Sequence, residues 1–133
     1  MAGILNSMKD LMRGIRTLHP FWQLWVMVLM GLNFFCPLIF IDRIEAVCTL
    51  MAGMLGAGLG MFLVSRQGFT RLMGLMHIPW IPLVFYLWGR HAGVEPDSLF
   101  GIWMTAVIAF NSISLMIDTV DVIRFLRGER SPL

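Results

Sequence analysis

"LFGIWMTAVIAFNSISLMIDT", residues 99–119, runs for 21 residues with one charged side chain, Asp118. At about 1.5 Å per residue, a helix of that length reaches across a hydrocarbon core of about 30 Å. Windows 21–41, 46–65 and 72–89 read the same way, and none holds a Lys, Arg, Asp or Glu. Across 133 residues the chain is 58% hydrophobic and only 14% charged, which excludes an ordinary soluble domain. The expected fold is all-α. It is a polytopic membrane protein with four transmembrane helices in two antiparallel hairpins, filling residues 1–133 as a single domain. The first window passes Asn33 and Pro37 without a small-residue cleavage site. It therefore reads as a retained span, not a signal peptide.

The basic residues orient these spans. Lys9, Arg13 and Arg16 precede the first, Arg66 and Arg71 lie between the second and third, and Arg124, Arg127 and Arg130 follow the fourth. Only Arg43 and Arg90 fall in the other two loops. Such asymmetry predicts both termini on the cytoplasmic side of a bacterial-type inner membrane. Ahead of the first span, Ile4, Leu5, Met8, Leu11, Met12 and Ile15 recur at helical spacing with the basic residues on another face. Residues 3–17 are expected to form an amphipathic interfacial helix on the bilayer, with partner binding as the sharper alternative. Trp22 and Trp25 mark the inner boundary of the first span, and Trp88 and Trp103 the outer boundary of the third and fourth. Trp80 alone falls mid-membrane. The fourth helix is expected to start at an Asp97 or Ser98 cap and to extend to 127 beyond the membrane.

Polar residues inside the windows are the candidate functional groups, because a polar side chain in lipid turns toward the bundle interior or a wet cavity. Asn111, Ser114, Asp118 and Asp121 are spaced i, i+3, i+7 and i+10, one narrow stripe of the fourth helix. Asp118 and Asp121 have a plainer reading as part of its wet cytoplasmic end. His77 lies six residues after Arg71 and Asp118 six before Arg124. Both are thus expected about 9 Å from the inner boundary, where an imidazole and a carboxylate would make a proton-sensitive pair. Asn33 and Asn111 fall at a second common height, about 20 Å in.

The stretch His77-Ile78-Pro79-Trp80-Ile81-Pro82 interrupts the third window. Pro79 cannot donate to the Leu75 carbonyl, nor Pro82 to that of Ile78, so a kink is expected there. The freed carbonyls are expected to find partners on the fourth-helix stripe or in water. Such a break marks a solute or ion site in some transporters and a simple packing bend elsewhere. On the second helix Ala52, Gly53, Gly56 and Gly60 form a small-residue packing face, open to another span or to a second copy.

Other chemistry finds little footing. No lysine lies in a span, which excludes a retinal Schiff base. The three histidines are scattered in depth, so no metal or haem is expected, and no cofactor motif appears. Ser114, Asp118 and His77 are too commonplace to argue for an enzyme, and no catalytic residue is assigned. Nothing points to nucleic acid. Cys36 and Cys48 read as buried thiols, with a disulfide as the alternative. The leading expectation is a pathway for an ion, proton or small solute, a channel or transporter working as a homo-oligomer. Its lining would be Asn33, His77, Trp80, Asn111, Ser114 and Asp118, with Asp121 at the inner mouth. The rival expectation is a non-catalytic accessory or structural subunit of a larger membrane complex.

Overall fold

The computed structural model describes residues 2–130 and is all-helical among them. Helix α1 covers Ala2–Arg16. Helix α2 covers Pro20–Ile39 and α3 covers Ile44–Gln67. A 3-10 segment, Arg71–His77, leads into α4, Trp80–His91, with a bend of 43° between them. Helix α5 covers Leu99–Leu126. Three helices (α2, α3 and α5) are long and apolar enough to cross a membrane, and the bent pair makes a fourth if counted as one span.

Local chemistry sets these ends. His19 Nδ1 accepts from Phe21 N–H ahead of α2, and Pro20 occupies the first position, where a missing N–H costs nothing. Ser98 Oγ accepts from Gly101 N–H and caps α5. Thr70 Oγ1 caps the 3-10 segment by accepting from Leu72 N–H. Gly68 ends α3 with φ of 73°, a value that favours glycine.

Pro37 leaves a mark that the sequence reading did not anticipate. Gly31–Phe35 widens into a π turn, and Cys36 N–H reaches back to the Gly31 carbonyl. In a regular α-helix that N–H would serve Leu32. Its carbonyl instead accepts the indole N–H of Trp103 at 2.9 Å. Trp103 is therefore buried at 5% exposure, not stationed at an interface as expected. Trp88, at 70% exposure, does face outward.

Between membrane helices there is no hydrophobic drive, so close packing and interhelical hydrogen bonds hold them together. The small-residue face of α3 does this within the chain. A Cβ on Gly53 would lie 3.1 Å from the Phe34 ring, one on Gly56 would lie 2.8 Å from the Met76 carbonyl oxygen, and one on Gly60 would lie 2.8 Å from Met76 Cε. Ala52 is buried alongside. The main core joins Leu29, Ala46, Trp80, Leu87, Met104 and Val107. A smaller one (Leu63, Val64 and Met73) receives Leu11 of α1, so α1 is docked on the bundle. Ile4, Leu5, Met8 and Met12 of α1 stay exposed.

Candidate functional site

Six of the seven candidate residues are hydrogen-bonded in four pairs layered along α5, and the seventh, Trp80, stacks on one of them. In the deepest layer Asn33 Nδ2 donates to Asn111 Oδ1 and Asn111 Nδ2 donates to Asn33 Oδ1, each at 2.9 Å. Neither residue has any exposed surface. Asn33 Nδ2 also donates to the Leu29 carbonyl within the widened part of α2. One turn along, Trp25 Nε1 donates to Ser114 Oγ at 2.9 Å. The amide pair and the indole–hydroxyl bond tie α2 to α5, and Asn33, Asn111 and Ser114 are buried. Among the described residues no buried side-chain nitrogen or oxygen lacks a hydrogen-bond partner.

The next layer joins the 3-10 segment to α5. His77 Nδ1 and Asp118 Oδ2 are 2.6 Å apart. The His77 ring stacks on Trp80, with centroids 4.1 Å apart and planes 8° from parallel. Trp80 is buried at 4% exposure, so it braces the imidazole from the core side and does not line an opening. Below this, Arg71 donates to Asp121 Oδ1 at 2.9 Å. Two acids one turn apart on α5 thus hold both ends of the 3-10 segment. The approach is close because residue 74 is glycine. A Cβ there would lie 3.0 Å from Asp118 Cβ and 3.1 Å from its carbonyl oxygen. The signal for this in the sequence is a glycine three residues before His77 on a broken span.

The prolines act differently from expectation. Ile78 N–H donates to the Leu75 carbonyl at 3.2 Å, and Ile81 N–H to the Ile78 carbonyl at 3.0 Å. Tightening to i→i+3 bonds therefore serves the very carbonyls that the prolines leave, with no help from α5. Pro82 also sits in the first turn of α4, where backbone N–H groups have no helical acceptor anyway.

His77 and Asp118 are not sealed like the layers above them: their side chains retain 20% and 16% exposure. Asp118 stands on the wall of an open groove of about 190 Å³ between the 3-10 segment with the start of α4 and the C-terminal half of α5. Among the described residues no group of three His, Cys, Asp or Glu is placed to hold a metal ion. Cys36 and Cys48 are free thiols.

A further pair at the other end escaped the sequence reading. Arg90 Nε and Nη2 both donate to Glu45 Oε1, at 2.9 and 2.7 Å, and Glu45 is buried. The two residues flank facing ends of neighbouring windows, so the depth arithmetic applied to His77 would have found them. No family model matches the chain, and no characterised protein or solved structure shows significant similarity to it.

Proposed function

We propose that this chain crosses a bacterial-type inner membrane four times, as two antiparallel hairpins with both termini cytoplasmic. In this reading it carries a proton or small cation at the His77–Asp118 pair. The eight-to-two bias of basic residues toward the proposed cytoplasmic segments supports the orientation. One observation carries the functional part. A short imidazole–carboxylate contact sits at the break of a bent helix and borders an open groove, while Asn33, Asn111 and Ser114 beyond it are buried. Intramembrane acids placed in this way are the groups that take up and release protons and cations.

In this reading the stripe is not a lining along its length. Asn33–Asn111 and Trp25–Ser114 form the seal, and exchange takes place at the inner end. Asp121 with Arg71 lies one turn nearer the cytoplasm and fixes the segment that carries His77. Completion of a route past the seal falls to an assembly of copies, through faces other than the small-residue face of α3, which packs within the chain. The test is flux from liposomes loaded with a pH-sensitive dye. The intact protein conducts protons, a common ion or a small solute, and Asp118→Asn alters that flux while the protein remains folded. Absence of any flux from the intact protein refutes the proposal.

The accessory-subunit reading has its own support, since every stripe residue has an intramolecular partner. Native mass spectrometry from mild detergent separates the two. A larger co-isolated partner favours the subunit, and a homo-oligomer favours the exchanger.

A further inference from the structure

The groove beside Asp118 has a composition that selects its occupant. Leu75, Ile78 and Ile81 form one wall, and Leu115, Asp118 and Ile123 the other. Ile78, Ile81 and Ile123 are each about half exposed, so the groove opens sideways, toward lipid in a membrane. Only one oxygen of Asp118 is engaged, by His77; among the described residues its Oδ1 has no hydrogen-bond partner. Thr119, the other polar side chain on the rim, donates its hydroxyl to the Leu115 carbonyl. The nearest other acid, Asp121, is neutralised by Arg71.

We propose that this groove is a binding site for a hydrophobic organic monocation, an alkyl- or aryl-substituted ammonium. The assignment takes the His77–Asp118 pair as the working centre read above and names the class of its substrate. Such a cation matches both features at once, an apolar body against the isoleucines and leucines and a diffuse positive charge against a carboxylate in low dielectric. A divalent metal ion needs several oxygen ligands, and the walls supply one carboxylate. An acyl chain would fill the apolar walls but leave Asp118 Oδ1 without a partner. Lateral entry suits amphiphilic cations, which concentrate in the bilayer interface before they reach a protein.

The experiment is calorimetric titration of the full chain in nanodiscs of zwitterionic lipid. Benzyltrimethylammonium is compared with its uncharged isostere neopentylbenzene, and empty nanodiscs supply the blank. The intact protein binds the cation saturably and at least about tenfold more tightly than the isostere. Asp118→Asn, which keeps the size and hydrogen-bonding capacity of the side chain, loses that preference. Ile81→Trp, which fills the groove without touching the carboxylate, weakens binding of both probes. Retained thermal transitions show that the variants fold. Equal binding of cation and isostere, or equal cation binding by Asp118→Asn, overturns the proposal and leaves an apolar lipid slot; so does no saturable binding at all. Because no flux is measured, the outcome is separable from the exchange reading. Proton flux without cation binding sinks this site alone, and cation binding without flux sinks the exchange alone.

Discussion

Replacing Asn111 by leucine tests whether the sealed layer holds the bundle together. The substitution keeps the branched heavy-atom outline of the side chain, though with bulkier methyl groups, and removes both reciprocal amide bonds to Asn33, a residue with no exposed surface. Asn33 then keeps its bond to the Leu29 carbonyl, but its Oδ1 is left dry and without a donor. An orphaned buried acceptor costs about 1–3 kcal/mol. Asn33→Leu should cost a similar amount for the same reason. With both replaced, no polar group is stranded and two leucines pack face to face, so the double variant loses much less than the two single costs together. Two bonds at about 0.6 kcal/mol each set the expected coupling at about 1.2 kcal/mol or more. The assay is reversible unfolding in mixed micelles with rising dodecyl sulfate, followed by tryptophan fluorescence. If the single costs add to within about 0.5 kcal/mol, the pair is not a cooperative lock and the reasoning fails.

The glycines supply a sharper contrast. Gly56→Ala must displace the Met76 backbone and should destabilise, whereas Gly58→Ala meets nothing within 4 Å and should stabilise by up to about 1 kcal/mol through helix propensity. Equal responses in the same unfolding assay would contradict the packing. Gly74→Ala should push the 3-10 segment off α5 and separate His77 from Asp118, seen as loss of the Asp118→Asn effect on the His77 ring 15N shifts. An unchanged response would show that the close approach is not needed. At the end of α5, Arg124 donates twice to Glu129 and holds its carboxyl below the usual glutamate range. A depressed value in the folded state means that this tether is present above the ordinary glutamate pKa and fades as pH falls through the lowered one. Carbon NMR of the Glu129 carboxyl should therefore give a midpoint below that of a free glutamate, and a midpoint at or above it would deny the tether.

Helix is a local property, and the sequence by itself determined it. Charge-free windows, caps such as Ser98 and the break at Pro79 depend on neighbours within a turn, so α2, α3 and α5 were legible to within about two residues. Two pairings were legible as well. A constant rise per residue puts His77 level with Asp118 and Asn33 level with Asn111, and both pairs are hydrogen-bonded. What depth does not fix is rotation and lateral offset, which arise only when helices pack. Tertiary structure alone therefore decided that Trp103 turns inward to a carbonyl freed by the π turn, that Trp80 backs His77, and that the α3 glycines meet Phe34 and Met76. It also decided that the carbonyls left by the prolines close on their own segment, because the choice between a local i→i+3 bond and a distant donor depends on how near α5 comes. Gly74 sets that distance, and with it whether a histidine and an aspartate at the same depth become a pair.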